Sequence, residues 1–272
     1  LLAALDLMRR MPPSRMESSL EELVDLAPDL TDDLLNTIDQ PLQTAKDSKG
    51  NVYLLCDYNR DGDSYRSPWT NSYDPQMDDG VLPPAKLRAM EVSANELFQS
   101  YMQNYYENGA SSVYFWELDE TSFAACVLFK KDVEQKKKGL ESGGWDAIHV
   151  CEIRPSGKRA AYKLTSTIML RLNTDHSTGP QSTGELKLSG SMTRQQEQEL
   201  PADNDNAHLP NMGRMIEEME NRMRDSLQDV YFGKTKSTVN KLYKSQGAAI
   251  DASKDAMAAA LKQEMARRGG AQ

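Results

Sequence analysis

Residues 160–172, AAYKLTSTIMLRL, alternate along the chain in the pattern of a half-covered β-strand. Successive side chains of a strand point to opposite sides of the sheet, so alternate positions separate onto two faces. The more apolar face carries Tyr162, Leu164, Ser166, Ile168, Leu170 and Leu172. The opposite face carries Lys163, Thr165, Thr167, Met169 and Arg171. One covered face and one wetter face are typical of an antiparallel sheet, which this stretch therefore predicts.

Four further runs are rich in Val, Ile, Thr and aromatic residues and are separated by turn or charged segments. They are SSVYFWEL (111–118), FAACVLFKK (123–131), WDAIHVCEI (145–153) and GELKLSGSM (184–192). The connections are short enough for hairpins, and no helical pattern lies between the runs, which argues against a parallel sheet. We therefore predict five strands in one antiparallel sheet.

Two long helical patterns flank the predicted strands. The first, residues 83–109, ends at a glycine, and its apolar stripe consists of Leu87, Met90, Ala94, Leu97, Tyr101 and Tyr105. The second, residues 211–231, has a stripe of Met212, Met215, Ile216, Met219, Met223, Leu227 and Val230. A methionine-rich stripe suits packing on an irregular surface such as a sheet face. The polar stretch before it, residues 193–208, is expected to be a mobile connection.

These patterns predict an α+β fold in five segments. Short helical patterns separated by prolines predict a small helical bundle at 1–40, and turn residues dominate an irregular connecting segment with short strands at 41–84. The helix and antiparallel sheet follow at 85–200, the long helix over the sheet at 201–246, and a terminal helix at 247–272. Because the sequence begins at Leu1 rather than at Met, further residues are expected to precede it.

The charge of the chain is unevenly distributed. The net charge is −9, yet residues 234–272 carry eight basic side chains against three acidic ones. A basic tail on an acidic body can be steered towards an acidic partner surface, whereas the acidic body is not expected to bind nucleic acid. A solvated terminal helix is the alternative interpretation of the same charges.

The cysteine content and the hydropathy of the sequence indicate the cellular compartment in which the protein is expected. The three cysteines form no CxxC pair, which suits a reducing compartment better than a disulfide framework. No apolar run approaches the roughly 18 residues that span a bilayer, and the opening LLAALDLMRR is too short and wrongly flanked for a signal peptide. A soluble cytoplasmic protein without a transmembrane segment is therefore expected.

The last segment, AAIDASKDAMAAALKQEMARRGGAQ (248–272), has an amphipathic pattern in which Ile250, Met257, Leu261 and Met265 share one helix face. A single helix of this length is marginally stable in water, so its apolar stripe needs a surface to pack on. That surface is either the chain's own domain or a hydrophobic groove on another protein. The spacing alone leaves both interpretations open.

Catalytic and metal-binding patterns find little support in the sequence. His149, His176 and His208 have no neighbouring ligands at metal spacing, and no GxSxG, HExxH, P-loop or GxGxxG motif occurs. His149 and Cys151 share a strand face, but a hydrogen-bonded core histidine is the simpler interpretation. We therefore expect no cofactor and no enzymatic activity, with an unusual hydrolase as the remaining alternative.

The segment LCDYNRDGDSYRSPW (55–69) has a partial calcium-loop pattern at Asp57, Asn59, Asp61 and Gly62. An EF-hand also needs a bidentate Glu at its twelfth position, where this segment has Pro68, and it needs helices on both sides. Because Asp, Asn and Gly are also the residues of tight turns, we predict a structural turn here. A calcium-regulated binding module is the alternative.

The same segment carries a family resemblance. LLCDYNRDGDSYRSPWTNSYDP (54–75) resembles the signature of the β subunits of F-actin capping protein, the CapZ β family. Further similar segments follow the family order: ALDLMRRMPP (4–13), DQPL (39–42), SSVYFWELD (111–119), WDAIHV (145–150), YKLTSTIML (162–170), GSMTRQ (190–195) and MIEEMENRMRDSLQDVYFGKTK (215–236). The resemblance covers most of the chain and is weakest at the C-terminus.

The resemblance implies a non-enzymatic α/β heterodimer with a stalk of N-terminal helices, a sheet continuing across both subunits and a mobile C-terminal "tentacle" helix. In this family the body sits across the barbed end of an actin filament, and the tentacle enters the hydrophobic cleft of a terminal actin. Subunit addition and loss are then blocked. Carried onto this chain, the cleft residues would be Ile250, Met257, Leu261 and Met265, and the residues facing acidic actin surface would be Lys262, Arg267 and Arg268.

The resemblance also implies regulators. Arg224 would lie near the tentacle root, among basic groups that contact actin or a competing regulator. Basic regulatory peptides wrap around the stalk in this family, and residues 57–80 carry six acidic side chains against two basic ones. Asp61 and Asp63 are therefore candidate contacts for such a peptide. The implied location is the cytoplasm and cytoskeleton, and a capping subunit of an actin-related filament, as in dynactin, is the alternative function.

Overall fold

The computed structural model describes residues 22, 24–28, 41–107, 109–133, 142–176, 184–227 and 229–230. Five short strands come first: β1 (Gln43–Lys46), β2 (Val52–Leu55), β3 (Arg60–Asp61), β4 (Ser64–Arg66) and β5 (Tyr73–Asp74). Five longer strands form the main sheet: β6 (Ala110–Glu117), β7 (Phe123–Val133), β8 (Ser142–Ser156), β9 (Arg159–His176) and β10 (Gly184–Pro201). The main sheet has the order β10-β9-β8-β7-β6, and each neighbouring pair is antiparallel.

The five predicted strands and their antiparallel pairing are therefore confirmed. On β9, the side chains of Tyr162, Leu164, Ser166 and Ile168 are buried, while Lys163 between them is only half-buried. Met169 differs from the prediction, since it lies on the predicted wetter face and is buried there by a second layer of the fold.

The prediction of a mobile connection at 193–208 was wrong for residues 193–201. β10 continues to Pro201, with Thr193 opposite Thr167 and Pro201 opposite Arg159 on β9. The Oγ1 atoms of Thr167 and Thr193 lie 2.9 Å apart, and Arg159 Nε donates to Glu199 Oε1 at 2.6 Å. Glu and Gln are weak strand formers, so cross-strand pairing with β9, rather than local propensity, places this polar stretch in the sheet.

Two helices, α1 (Ala85–Tyr105) and α2 (His208–Leu227), pack on one face of the main sheet. The predicted stripe of α2 is buried from Met212 to Leu227, but Val230 is exposed beyond the end of the helix. The predicted stripe of α1 was wrong in part: Leu97 and Tyr105 are 45% and 56% exposed. Its buried face contains Leu87, Met90, Glu91, Ala94, Asn95, Phe98 and Met102.

The sheet thus has an apolar layer on each side. The helix side holds the larger core, which includes Phe98 and Met102 of α1, Phe129 and Leu164 of the sheet, and the methionines of α2. On the other side, the β1–β2 hairpin covers a smaller core of Leu42, Leu54, Tyr114, Cys126, Leu128 and Met169. The five-stranded antiparallel sheet with helical cover makes this a mixed α+β fold.

The predicted helical bundle at 1–40 and the terminal helix at 247–272 lie outside the described residues, apart from a few positions between 22 and 28. The five segment boundaries therefore stay predictions. Among the described helices, none is long and apolar enough to cross a membrane.

Candidate functional site

A groove of about 540 Å³ opens where the C-terminal ends of α1 and α2 meet the sheet. Its lining is mostly aromatic and aliphatic with two cationic side chains, and consists of Tyr105, Tyr106, Glu107, Lys131, Trp145, Leu170, Arg224 and Leu227. Lys131 Nζ donates to the main-chain oxygen of Glu107 at 2.6 Å. The groove therefore combines apolar surface with the two cationic side chains of Lys131 and Arg224 and the acidic side chain of Glu107.

Arg224 is held at this groove by aromatic side chains. Its Nη2 atom donates to the Tyr106 hydroxyl at 3.0 Å, and its guanidinium carbon lies 5.4 Å from the ring centres of both Tyr106 and Trp145. Such cation–π contacts fix the orientation of a guanidinium without neutralising its charge. The indole nitrogen of Trp145 is buried and has no hydrogen-bond partner within the described part of the chain.

A buried carboxylate lies beneath Arg224. Glu220 of α2 is fully buried and accepts hydrogen bonds from the hydroxyls of Tyr101 (2.8 Å) and Tyr106 (2.6 Å). His149 of β8 completes the cluster, with Nε2 3.4 Å from Glu220 Oε1 and Nδ1 2.8 Å from Ser166 Oγ. His149 is therefore the hydrogen-bonded core histidine that the sequence predicted, and the cluster joins both helices to the sheet.

The pKa values follow from this burial. Burial would raise the pKa of the Glu220 carboxyl, but hydrogen bonds from His149, Tyr106 and Tyr101 outweigh it and hold that pKa below its ordinary value of 4.5. Burial, and then the charge of Glu220, raises the pKa of both Tyr101 and Tyr106 well above the ordinary value of 10. The carboxylate is thus kept ionised while both phenols stay protonated and donate to it.

The outer edge of β6 is closed by side chains of α1. Asn95 forms two hydrogen bonds with the main chain of Val113, and Glu91 Oε2 accepts from the main-chain N–H of Phe115 at 2.9 Å. These polar side chains take the place of a neighbouring strand, so the edge presents no free ladder there. The sequence analysis did not identify Asn95 or Glu91. The signal that could have identified them is the presence of polar residues at helical spacing within the apolar stripe of α1.

β10 forms the opposite edge of the sheet. It is 18 residues long, and no strand of the described ranges pairs with its outer side. A long strand edge with unpaired N–H and C=O groups is a template for pairing with another chain. The two edges of the sheet therefore differ in their capacity to bind a partner strand.

The acidic segment after β2 is built from tight turns. Asp57–Asn59 form a 3₁₀ turn, and Gly62 has φ of 56°, the positive value required in the two-residue loop between β3 and β4. The Asn59 side chain is used internally, because Oδ1 accepts from Cys56 N and Nδ2 donates to Arg66 O, each at 2.9 Å. These contacts support the turn interpretation. In the described ranges no group of three or more His, Cys, Asp or Glu could hold a metal ion.

This turn is anchored to α1 by a buried ion pair. The guanidinium of Arg66 donates to both carboxylate oxygens of Glu91, at 2.7 and 2.8 Å, and Arg88 also pairs with Glu91. Arg66 is 3% exposed and Glu91 is fully buried. Burial would lower the pKa of Arg66, but the hydrogen bonds and charge of Glu91 outweigh it and raise that pKa. The same carboxylate therefore holds the turn and closes the β6 edge.

The predicted site residues fall into three places. Arg224 lies at the groove described above, at the end of α2 from which the chain continues towards the terminal segment. Asp61 is half-buried and accepts from the main-chain N–H of Val81 at 3.3 Å, whereas Asp63 is exposed at the hairpin loop. The structure does not bring them together with Arg224 in one pocket. The remaining predicted contacts lie outside the described residues: Ile250, Met257, Leu261, Lys262, Met265, Arg267 and Arg268.

Comparisons with known proteins agree with one another. Residues 1–239 match the family model described as F-actin capping protein, beta subunit. A Caenorhabditis elegans protein named F-actin-capping protein subunit beta is 51% identical over 98% of this chain and 97% of its own length. Proteins of the same name from Drosophila melanogaster and Dictyostelium discoideum are 51% and 52% identical, covering 97% and 91% of this chain and 92% and 90% of their own lengths.

A solved structure shares the fold. The homodimeric actin capping protein alpha subunit from Plasmodium berghei superposes with a TM-score of 0.56 over 88% of this chain and 93% of its own, at 14% sequence identity. At that identity the likeness concerns the fold alone. The family match and the near-full-length relatives carry the assignment, and the chain belongs to the F-actin capping protein beta subunit family.

Proposed function

We propose that this chain is the β subunit of a heterodimeric F-actin capping protein, which binds the barbed end of an actin filament and blocks subunit addition and loss. The observation that carries the proposal is the identity of about half over nearly the whole chain to proteins named F-actin-capping protein subunit beta. The family description names a binding role rather than a reaction. Such a role belongs to the cytoskeleton, in the cytoplasm.

The α subunit pairs with β10 in this proposal. Side chains close the β6 edge through Asn95 and Glu91, whereas β10 offers 18 residues of strand edge. An antiparallel sheet extended through β10 satisfies main-chain groups that would otherwise depend on water. The helix face of the extended sheet then carries α2 close to the junction, since α2 packs over β9 and β10.

The C-terminal segment is the proposed actin contact. Ile250, Met257, Leu261 and Met265 repeat at helical spacing, which suits a helix that lays one apolar face into a hydrophobic cleft. Lys262, Arg267 and Arg268 supply positive charge beside that face, where an acidic actin surface would attract them. Each apolar side chain contributes roughly 1.5 kcal/mol or more if fully buried, so four contribute several kcal/mol before ordering costs.

The groove at Arg224 is a second proposed contact. The guanidinium is fixed between Tyr106 and Trp145, so its charge is oriented before a partner arrives. Preorganised charge binds an acidic surface with a smaller loss of side-chain entropy than a freely rotating arginine. We assign to Arg224 a contact with actin or with an acidic regulator that competes with actin.

Deletion of residues 248–272 tests the terminal contact. In the co-expressed heterodimer, the truncated chain is expected to retain the α subunit during gel filtration but to lose tight inhibition of pyrene-actin elongation at barbed ends. The matched variant Ile250→Asp, Leu261→Asp keeps the length and the basic groups while placing charge on the apolar face. If the truncated heterodimer inhibits elongation at the same concentration as the wild-type heterodimer, the proposed terminal contact is refuted. Loss of capping by both variants supports it.

Basic regulatory peptides are proposed to contact the acidic turn at Asp61 and Asp63. Asp63 is exposed at the hairpin loop, while Asp61 also holds Val81 and is therefore the less available of the two. Asp63→Ala is expected to weaken binding of a lysine-rich peptide in fluorescence anisotropy more than Asp61→Asn does. If wild type and Asp63→Ala bind the lysine-rich peptide with equal affinity, Asp63 does not contact the peptide.

The alternative role, as capping subunit of an actin-related filament in a dynactin-like complex, is not favoured. The relatives are named for F-actin capping. Purification of the native complex, followed by identification of the bound filament protein, separates the two roles.

A further inference from the structure

A hydrogen-bond chain runs from the groove into the core near the end of α2. Arg224 Nη2 donates to the Tyr106 hydroxyl at 3.0 Å, and that hydroxyl donates to Glu220 Oε1 at 2.6 Å. Arg224 and Tyr106 both line the groove, whereas Glu220 is fully buried. The Tyr106 hydroxyl therefore joins a buried carboxylate to a cationic side chain at the surface.

The protonation states set the direction of both bonds. Burial would raise the pKa of the Glu220 carboxyl, but the hydrogen bonds that it accepts keep that pKa below its ordinary value, so the group is an acceptor. The guanidinium of Arg224 is a donor and cannot accept. A phenol between them satisfies both neighbours when its proton points to the carboxylate and its lone pairs face the guanidinium. Glu220 thus orients the hydroxyl that receives Arg224.

Glu220 and Arg224 lie four residues apart on α2 and therefore on the same side of the helix. At an exposed helix surface, a glutamate and an arginine at this spacing can pair directly. Here Glu220 points into the core, where it also accepts from the Tyr101 hydroxyl and lies 3.4 Å from His149 Nε2. Its link to Arg224 passes instead through Tyr106, a residue at the end of the other helix.

The Tyr106 ring is itself held in place. Tyr106 directly follows α1, and its main-chain N–H donates to Met102 O at 2.9 Å. Its ring packs beside that of Phe129 in β7, with ring centres 5.9 Å apart, and the residue is 7% exposed. A fixed ring with an oriented hydroxyl restricts the rotamers of Arg224, whose guanidinium carbon also lies 5.4 Å from the ring centre of Trp145.

We propose that Glu220 and Tyr106 are positioning residues, which hold the Arg224 guanidinium at the groove in the orientation that meets an acidic partner. This inference rests on the contact proposed for Arg224 above. A side chain that is ordered in advance loses less entropy on binding, and the ordering of one long side chain corresponds to about two- to tenfold in affinity. Arg222 is the contrast, since it lies on the exposed side of α2, 3.8 Å from Glu218.

The charge of Glu220 separates positioning from simple electrostatics. A buried carboxylate lowers the positive potential at the groove, so by charge alone its removal would strengthen the attraction of an acidic partner. If Glu220 acts by orienting Tyr106, its removal weakens that attraction. Glu220→Gln keeps the shape of the side chain and removes its charge, so the two explanations predict effects of opposite sign.

Pyrene-actin elongation with the intact heterodimer is the first test. Tyr106→Phe removes the hydroxyl but keeps the ring, whose centre lies 5.4 Å from the guanidinium carbon of Arg224. We expect Tyr106→Phe to weaken barbed-end capping about two- to tenfold, and Glu220→Gln to weaken it as well. In an Arg224→Ala background, Tyr106→Phe should cause no further loss, because the guanidinium that it positions is gone.

Tyr101→Phe is the matched control. It removes the other phenol that donates to Glu220, but Tyr101 bonds to Oε2 and Tyr106 to Oε1. Both substitutions therefore take one donor from the same carboxylate, and only Tyr106→Phe breaks the bond to Arg224. We expect Tyr101→Phe to cap closer to wild type than Tyr106→Phe does.

The order of the Arg224 side chain can be measured without a partner. In a heterodimer that carries isotope-labelled arginine, NMR relaxation of the Nε–H group reports side-chain motion on the ps–ns timescale. The Arg224 signal is identified by its absence from Arg224→Ala. We expect an ordered side chain in wild type and in Tyr101→Phe, and a less ordered one in Tyr106→Phe and in Glu220→Gln.

Three results would overturn the proposal. They are equal order of the Arg224 side chain in wild type, Tyr106→Phe and Glu220→Gln, tighter capping by Glu220→Gln than by wild type, and a loss of capping by Tyr106→Phe that persists undiminished in the Arg224→Ala background. The last result would indicate a general destabilisation. Normal capping by Arg224→Ala refutes the proposed contact of Arg224 itself, and the relaxation measurement then decides the positioning role alone.

Discussion

Asn95 of α1 completes the hydrogen bonding of Val113 at the edge of the sheet. Its Nδ2 atom donates to Val113 O and its Oδ1 atom accepts from Val113 N, both at 2.9 Å, and both residues are almost fully buried. The same side chain also donates to Glu91 O within the helix at 2.8 Å. A carboxamide thus occupies the place of a neighbouring strand, whereas no strand in the described part of the chain pairs with the outer side of β10.

Replacing Asn95 by Leu should destabilise the protein strongly. Leucine has a similar volume but leaves the N–H and C=O groups of Val113 buried without partners, at about 1–3 kcal/mol each. We expect urea denaturation of the heterodimer at fixed concentration to give a free energy of unfolding lower by about 2–5 kcal/mol. Ser100→Ala on the exposed side of α1 should change it by less than about 0.5 kcal/mol. Equal effects of the two substitutions would contradict the edge-closing role.

Partner binding at β10 predicts a specific hydrogen-exchange pattern. A strand paired on one side protects alternate amides, whereas a strand paired on both sides protects all of them. In the heterodimer we expect slow exchange at successive residues of β10, including the polar positions 193–199. Amide-resolved exchange measurements check this. Fast exchange at every second residue along β10 would show that its outer edge stays free in the complex.

The buried ion pair of Arg66 and Glu91 predicts that replacing Arg66 destabilises the protein far more than replacing Arg60, the other arginine of the acidic segment. Arg66→Met leaves the Glu91 carboxylate buried with only Arg88 as a charged partner, so we expect a loss of about 3 kcal/mol or more in the free energy of unfolding. Arg60 is exposed, and Arg60→Met should cost less than about 0.5 kcal/mol. Chemical denaturation of both variants gives the comparison, and a mild effect at Arg66 would show that Arg88 alone compensates.

The cluster at Glu220 predicts a pH dependence. Because the pKa of Glu220 is lower in the folded than in the unfolded protein, its contribution to stability is complete above about pH 4.5 and is lost as pH falls through the folded-state pKa. Tyr106→Phe removes one donor and should cost about 1.5–3 kcal/mol at pH 7. The difference between wild type and variant should shrink below pH 4.5. If the difference in unfolding free energy between wild type and Tyr106→Phe stays constant down to pH 3, the contribution of Tyr106 does not depend on the ionisation of Glu220.

Arg224 and Arg222 form a matched pair for the groove. Arg224→Ala removes the charge held between Tyr106 and Trp145, and we expect barbed-end capping to weaken by up to about tenfold at low salt, since oriented charge contributes to binding. Arg222 is exposed, and its alanine variant should cap almost normally. Pyrene-actin elongation at two salt concentrations tests this, and the difference should narrow at high salt. Identical capping by the two variants would exclude a contact at Arg224.

Local pattern was sufficient for several elements. The alternation of residues 160–172 identified β9, and the methionine spacing identified α2, because burial of one face imposes period 2 on a strand and about 3.6 on a helix. The buried polar residues that the sequence pattern did not identify depend instead on partners that are distant in the chain. Glu91 and Asn95 are polar residues on the buried face of α1, and only the Arg66 guanidinium and the main chain of β6 explain why they are there.

The sequence by itself determined the strand and helix periods and the family resemblance, since both are written in residue order. Tertiary structure alone decided that polar residues 193–201 belong to β10, because pairing with β9 satisfies their main-chain groups. It also decided that Arg224 lies between two aromatic rings. These contacts join residues far apart in the chain, and no local propensity encodes which distant side chain will be the neighbour.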